Sequence, residues 1–166
     1  VATNIAKCQE EDSDETFTVT SKKIEFDTCK TIPLHPKTRK EMTSKDFYKD
    51  MAEIVDRLNQ APQYNRVDIF GHADARKIKK PCPNGAKNNR ELSSLRVHAY
   101  LDGLESALKD NKNKSAFKPI YNRWIKGNLK IYAIGVGEKE PIDKRKSKIA
   151  YRTNRRIEIR FGIDRR

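Results

Sequence analysis

The sequence predicts an α/β (α+β) sandwich, in which one mixed β-sheet carries its helices packed on one face. Two segments with helical periodicity alternate with short apolar segments of strand type, as in α/β folds. The last strand-like segment alternates between apolar and charged residues, which predicts a sheet whose other face contacts water. The predicted order is β-α-β-α-β-β, with a basic excursion before the last strand.

Length and composition fit one domain with a small apolar core and a heavily charged surface. The chain has 166 residues, of which 36 are basic, 23 are acidic and 36% are hydrophobic. Residues 1–15 are predicted to form an acidic tail or linker. The domain then spans residues 16–166, with long inserts at 75–88 and 109–128. No apolar run approaches the ~18 residues that cross a bilayer, so we expect any membrane anchor to precede residue 1.

The first half of the domain is predicted as a strand, a loop and a helix. Apolar residues between Phe17 and Phe26 indicate an extended segment, and residues 28–42 form a loop with prolines and lysines. Thr43 and Asp46 make a capping-box-like helix start. An apolar stripe at helical spacing follows, formed by Phe47, Met51, Ile54, Val55 and Leu58.

The second half repeats this alternation. Residues 66–71 are predicted as a strand, 89–108 as a helix and 129–136 as a buried strand. Residues 139–153 form the basic, partly helical excursion. The connector before the third strand carries three aromatic residues at helical spacing, which we expect to pack on the domain: Phe117, Tyr121 and Trp124. The apolar residues of the last strand are Ile157, Ile159, Phe161 and Ile163.

Charge is distributed unevenly and indicates an anionic partner. Residues 1–27 carry seven acids and three bases, whereas residues 139–166 carry eleven bases and four acids. Such an excess fits nucleic acid, anionic lipid or an acidic polymer, or else a basic face that only water contacts. A nucleic-acid-binding domain would use this C-terminal Arg/Lys cluster, although the sequence has no zinc spacing, no RNP1 string and few aromatic residues in its basic stretches.

One face of the second helix is polar where it meets the end of a strand. Asn89, Leu92 and Arg96 share this face, and the preceding strand ends just before Asp74. Ligands of α/β sheets bind beyond the carboxyl ends of strands. An acid and an arginine at this place predict a site for a zwitterion, with its ammonium on Asp74 and its carboxylate on Arg96. The alternative is a simple surface ion pair between these two residues.

The sequence indicates neither an enzyme nor a metal or cofactor site. Ser93 or Ser94 with His98 and Asp74 would supply the residues of a hydrolase triad, but no Gly-x-Ser-x-Gly turn is present. Histidines and cysteines are scattered, without the clustered spacing that zinc needs. The cysteines are Cys8, Cys29 and Cys82. Their spacing leaves open whether one pair is bridged in an oxidising compartment or all three are reduced.

Four sequence blocks occur in the same order as in a known family. They are Phe26-Asp27, the run Val-Asp-Ile-Phe-Gly-His-Ala-Asp that ends at Asp74, Asn89-x-x-Leu92-Ser93-x-x-Arg96, and Asn154-Arg155-Arg156-Ile157-Glu158-Ile159. Together they resemble the OmpA C-terminal family, which also supplies the periplasmic domain of MotB-type motor stators. The resemblance covers most of residues 17–163. The sequence departs from the family pattern at Ala73, where Thr is usual, and in the longer loop 75–88.

The resemblance implies a non-enzymatic domain that binds peptidoglycan without a covalent bond. The implied ligand-binding residues are Asp74, Arg96, Asn89, Leu92, Arg155 and Arg156. In the family, the positions of the first two grip the diaminopimelate of the stem peptide, and those of the next two line the pocket. One of the two C-terminal arginines is expected to contact a further carboxylate.

The resemblance also implies the periplasmic domain of a membrane-anchored bacterial protein. Such a domain anchors a larger membrane assembly to the cell wall, and we favour a MotB-like stator over an outer-membrane anchor. Its expected partners are the stem peptide, a second copy of the chain and a membrane subunit supplied by the region before residue 1. In a periplasmic domain, Cys29 and Cys82 are predicted to form a disulfide that holds the loop 75–88 near the pocket.

Overall fold

The fold is built on a four-stranded sheet. The computed structural model describes residues 16–164, so the predicted acidic tail lies outside the described residues. The strands are β1 (Thr16–Lys22), β2 (Arg66–His72), β3 (Lys130–Gly137) and β4 (Arg156–Gly162). They lie in the order β1-β4-β2-β3, with β2 and β3 parallel and the other neighbours antiparallel. The predicted mixed sheet is confirmed.

The described residues form four helices: α1 (Ser44–Gln60), α2 (Asn89–Asp110), α3 (Phe117–Ile125) and α4 (Lys148–Asn154). The predicted capping box starts α1. Thr43 Oγ1 accepts a hydrogen bond from the N–H of Asp46 at 3.2 Å, and Asp46 Oδ2 accepts one from the N–H of Thr43 at 2.9 Å. These bonds satisfy N–H groups that a helix start leaves unpaired, which stabilises the first turn.

The main core lies between the helices and one face of the sheet. The predicted stripe of α1 is buried through Met51, Ile54, Val55 and Leu58. It packs, with α2, on the inward residues of the central strands, which are Val67, Ile69, Ile157, Ile159 and Phe161. The opposite face is charged and aromatic, since Arg66 lies over the ring of Tyr132 and Arg160 over that of Phe70. The alternation in β4 therefore produces one buried and one wet face.

The insert 109–128 extends the core through α3, as its aromatic spacing predicts. Phe117 and Ile120 are buried, and the ring of Phe117 stacks on Tyr48 with a centroid distance of 5.4 Å. This contact joins α3 to α1 near the C-terminal end of α2. Within residues 16–164, no helix combines the length and the apolar character of a membrane span.

Two glycines let α2 approach the sheet closely. A Cβ at Gly71 would lie 2.9 Å from the carbonyl oxygen of Ser93, and a Cβ at Gly135 would lie 2.5 Å from the Cα of Ser94. At this contact, the Ser93 hydroxyl donates to the carbonyl of Arg90 and accepts from the N–H of Gly137 at 2.9 Å. The first turns of α2 are thereby fixed against the carboxyl ends of β2 and β3.

Gly135→Ala should destabilise the fold by about 1–3 kcal/mol, because the added methyl group meets backbone atoms of α2 that cannot move aside on their own. Urea unfolding measures the loss. Lys130→Ala is a control on the same strand, where the side chain is exposed and a change within about 0.5 kcal/mol is expected. Equal stabilities of the two variants would contradict the close contact.

Candidate functional site

A cleft of about 570 Å³ opens where β2 ends and α2 begins. Five of the six predicted ligand-binding residues line it: Asp74, Asn89, Leu92, Arg96 and Arg155. The other walls come from residues around Phe26 and Cys29 and from the basic loop after Asp74. The sheet order explains this meeting, because β4, which Arg155 precedes, lies beside β2.

Asp74 is buried and binds two arginines. The backbone N–H and Nε of Arg76 each donate to Oδ1 at 3.0 Å, and its Nη2 donates to Oδ2 at 2.7 Å. Nη1 of Arg155 donates to Oδ2 at 2.9 Å. Burial alone would raise the pKa of Asp74, but the bonds from Arg76 and Arg155 outweigh it and hold the pKa below its ordinary value. Asp74 is therefore ionised at neutral pH and pairs with these arginines.

Arg96 lies in the same cleft but has other contacts. Its Nε donates to the carbonyl of Lys30 at 2.9 Å and its Nη2 to that of Asp27 at 3.0 Å, while the guanidinium lies 4.9 Å from the centre of the Phe26 ring. Burial and the positive charge of Arg155 lower the pKa of Arg96 to about 10. Arg96 thus stays charged at neutral pH. An anionic ligand would screen the repulsion between Arg96 and Arg155.

Asn89 and Leu92 hold the loop that carries the acid. Nδ2 of Asn89 donates to the carbonyls of Asp74 at 3.2 Å and Arg76 at 2.8 Å. Leu92 packs with Cys82 and Ala86 in a small apolar cluster of the loop 75–88. Both residues of α2 therefore fix the backbone around Asp74 as well as lining the cleft.

The predicted disulfide between Cys29 and Cys82 is present, with its Cα atoms 5.4 Å apart. It joins two loops whose residues both line the cleft. Asn84 adds a second link, since its Nδ2 donates to the carbonyl of Cys29 at 3.0 Å. The loop 75–88 is consequently tied both to the neighbouring loop and to α2.

The two C-terminal arginines differ in place. Arg155 reaches Asp74 in the cleft, whereas Arg156 is buried outside the cleft lining. Nε of Arg156 donates to Glu158 Oε1 at 2.6 Å, and its Nη2 donates to the carbonyl of Glu140 at 3.0 Å. Of this pair, the structure brings Arg155 to the other candidate residues.

Four basic cleft residues lie outside the set of ligand-binding residues that the sequence predicts: Arg76, Lys77, Lys79 and Lys80. With Arg96 and Arg155, they give the cleft six basic side chains and one acidic side chain among the described lining residues. The signal was present as the run Arg-Lys-Ile-Lys-Lys right after Asp74. An arginine two residues after a buried acid can fold back on it, but only the loop's conformation decides whether it does.

No protein-family model matches the sequence, and no curated protein matches it significantly. Solved structures match its fold. The periplasmic domain of Helicobacter pylori MotB superposes with a TM-score of 0.54 at 16% identity, over 91% of this chain and 85% of that chain. The cell wall anchor of the T6SS from Pseudomonas aeruginosa gives 0.52 at 16% identity, over 95% of this chain and 94% of that chain.

A third similar structure is the peptidoglycan-associated lipoprotein from Burkholderia pseudomallei. Its TM-score is 0.50 at 15% identity, over 86% of this chain and 89% of that chain. The chain therefore has the OmpA C-terminal-like fold that the four sequence blocks predict. At these identities the likeness concerns the fold, and function has to be argued from the cleft.

Reducing the disulfide should lower the free energy of unfolding by about 3–4 kcal/mol, because the bridge closes a loop with a sequence separation of 53 residues. Urea midpoints with and without reductant measure this loss. The double variant Cys29→Ser/Cys82→Ser is the control, since reductant should leave its midpoint unchanged. A wild-type midpoint that does not move on reduction would contradict the bridge.

Asp74→Asn should cost about 1–3 kcal/mol of stability at pH 7, because charge-assisted hydrogen bonds to two arginines are lost. The pKa of Asp74 is lower in the folded than in the unfolded chain, so its contribution is complete above about pH 4–5 and is lost as pH falls through the folded pKa. Unfolding of both proteins at pH 7, 5, 4 and 3 tests this. A gap that stays constant over this range would refute it.

Proposed function

We propose that this domain binds peptidoglycan non-covalently through its cleft and anchors a larger membrane assembly to the cell wall. The fold supports this, because it is shared with a cell wall anchor and with a peptidoglycan-associated lipoprotein. The periplasmic MotB domain of the same fold supports a periplasmic location. The proposal assigns the domain a binding role without catalysis.

One observation carries the proposal. Three guanidinium groups, those of Arg76, Arg96 and Arg155, line one cleft with a single buried carboxylate, which pairs with Arg76 and Arg155. Glu25 also lies 3.9 Å from Arg155, whereas Arg96 donates to backbone carbonyls, so the lining keeps a net positive charge that favours an anionic ligand. Guanidinium groups bind carboxylates with two parallel hydrogen bonds. The free carboxylates of a peptidoglycan stem peptide fit this chemistry.

We assign the residues of the cleft to this ligand. Asp74 and Arg96 bind the stem-peptide diaminopimelate, and Arg155 contacts a further carboxylate. Asn89 and Leu92 form the adjoining wall. The role that the sequence left between two arginines goes to Arg155, because it lines the cleft.

The assembly is proposed to be a MotB-like stator in preference to an outer-membrane anchor. The long inserts at 75–88 and 109–128 and the basic C-terminal region support this preference. Two copies of the domain, held by a membrane subunit of the same assembly, would bind the repeating wall more tightly than one copy.

The nucleic-acid alternative receives less support from the C-terminal cluster. Three of its described arginines make contacts within the domain: Arg145 pairs with Asp143, Arg156 with Glu158, and Arg160 lies over Phe70. Basic residues interleaved with exposed stacking aromatics are the usual surface for single strands. The observed contacts instead direct these three arginines to partners within the domain.

Co-sedimentation with purified peptidoglycan sacculi tests the proposed function. Wild-type domain should pellet at physiological salt, whereas Asp74→Ala and Arg96→Ala should lose about tenfold or more in affinity. Arg96→Ala removes a cation that binds a carboxylate, and Asp74→Ala removes the acid that holds Arg76 and Arg155 in place. Soluble stem tripeptide should compete with the sacculi for the wild type.

Two matched controls carry the same charge changes outside the cleft. Asp56→Ala on α1 and Lys118→Ala on α3 each remove one exposed charge and should bind as the wild type does. If all variants pellet alike and moderate salt releases them, binding is non-specific and the proposal is wrong. An absence of wild-type binding at any salt concentration would also refute it.

A further inference from the structure

The basic excursion 139–153, between β3 and β4, exposes both of its isoleucines to water. Ile149 is 73% exposed, the highest value for any large apolar side chain of the described residues, and Ile142 is 60% exposed. Single exposed apolar side chains are ordinary on protein surfaces. Two of them in one short and strongly basic segment instead indicate a surface that binds a partner.

The domain holds both isoleucines in one part of its surface. Oδ1 of the buried Asn154 accepts hydrogen bonds from the backbone N–H groups of Ile142 at 2.8 Å and Asp143 at 3.0 Å. Its Nδ2 donates to the carbonyl of Asp143 at 2.7 Å. These bonds join the start of the excursion to the last residue of α4. Ile149 lies only about 8 Å along the helix axis from Asn154, because each helical residue adds a short rise.

The packing of α4 keeps Ile149 at the surface. Ala150 and Asn154 form the buried side of this helix, and the hydroxyl of Ser147 accepts a hydrogen bond from the N–H of Ala150 at 3.1 Å. Ile149 and Arg152 share the exposed side. Burying Ile149 within the domain would require α4 to turn over and break the bonds of Asn154.

The charges around the isoleucines are mostly positive. The excursion has six basic and two acidic residues, and all six basic side chains are exposed. Asp143 binds Arg145, whose Nη2 lies 2.6 Å from Oδ2 of the acid. The other five basic side chains form no ion pair within residues 16–164: Lys139, Lys144, Lys146, Lys148 and Arg152. The segment thus presents unpaired cations beside apolar side chains.

An anionic bilayer fits both properties at once. Lysine and arginine bind lipid phosphates, and apolar side chains enter the boundary between the headgroups and the acyl chains. A nucleic acid or a soluble acidic polymer would pair with the cations but would leave Ile142 and Ile149 in water. Charge and exposed apolar surface together therefore favour a lipid surface over a soluble polyanion.

We propose that the excursion 139–153 docks on an anionic lipid bilayer, with Ile142 and Ile149 inserted below the headgroups and the surrounding cations on the lipid phosphates. This docking goes beyond the proposed function and does not depend on the ligand of the cleft. The excursion adjoins the cleft, since the guanidinium of Arg76 lies 5.2 Å from the centre of the Tyr151 ring on α4. Docking therefore brings the rim of the cleft next to the membrane surface.

Flotation with lipid vesicles tests the proposal. Wild-type domain should float with phosphatidylcholine vesicles that contain about one third phosphatidylglycerol, and it should not float with phosphatidylcholine alone. Ile142→Ser and Ile149→Ser should each weaken binding about threefold to tenfold, because each removes apolar surface that the bilayer buries. Lys146→Glu/Lys148→Glu should weaken it about tenfold or more, because the reversed charges are repelled by the anionic lipid.

Matched controls carry the same changes on other parts of the domain. Ile125→Ser on α3 removes an isoleucine that is also 60% exposed, and it should bind vesicles as the wild type does. Lys45→Glu/Lys49→Glu reverses two exposed lysines of α1 and should cost at most about threefold. Ile149→Ser should pellet with sacculi as the wild type does, because Ile149 does not line the cleft.

Insertion has a separate readout. Trp124 is the one tryptophan of the chain, so Ile149→Trp in a Trp124→Phe background reports on the excursion alone. Its emission should shift to shorter wavelength with vesicles that contain phosphatidylglycerol, whereas the emission of Ile125→Trp in the same background should not change. Urea unfolding confirms that the compared proteins are folded.

Three results would overturn the proposal. The first is an absence of wild-type flotation with the anionic vesicles. The second is flotation that the isoleucine variants leave unchanged and that moderate salt abolishes, since charge alone then accounts for binding. The third is retention on single-stranded DNA without flotation, which identifies a soluble polyanion as the partner. Loss of flotation in the isoleucine variants, with sacculi binding intact, supports docking independently of the cleft.

Discussion

The close approach of α2 to the carboxyl ends of β2 and β3 decides where the candidate site lies. Gly71 and Gly135 permit this approach, because neither has a side chain to hold the helix away from the sheet. The first turns of α2 then lie beside the loop that follows β2. Asn89 bonds to the backbone of that loop, and Arg96, about two turns further along the helix, reaches the neighbouring loop. Packing and site geometry thus have a common origin.

Within the cleft, one buried acid organises more positive charge than it neutralises. Asp74 stays ionised because guanidinium groups compensate its burial, and in return it fixes Arg76 and Arg155 near Arg96. Cations gathered in this way repel one another, and burial adds to that cost for Arg96. An anionic ligand relieves the imbalance. The same electrostatic arrangement therefore favours carboxylates as ligands.

The two loops around the cleft show how an insert becomes part of a site. The bridge between Cys29 and Cys82 restrains a polar loop that buries little apolar surface of its own beyond its cluster on Leu92. Gly85 provides a left-handed turn at φ 91°, and Cys82 bonds across it to Ala86. These local interactions keep five consecutive residues, from Arg76 to Lys80, along the cleft wall.

Local patterns in the sequence determined the elements: the capping box at Thr43, the stripe of α1, the alternation in β4 and the order of the four blocks. These features depend on neighbours within a few residues, so periodicity and spacing reveal them. The tertiary structure alone decided the partners of the charged groups. Asp74 and Arg155 bond although they are 81 residues apart, and Arg96 bonds to Asp27 across 69 residues. Arg156 pairs with Glu158, whereas the adjacent Arg155 binds Asp74. Which cation binds a given acid depends on distances that only the packed loops set, because every arginine carries the same charge and the same donors.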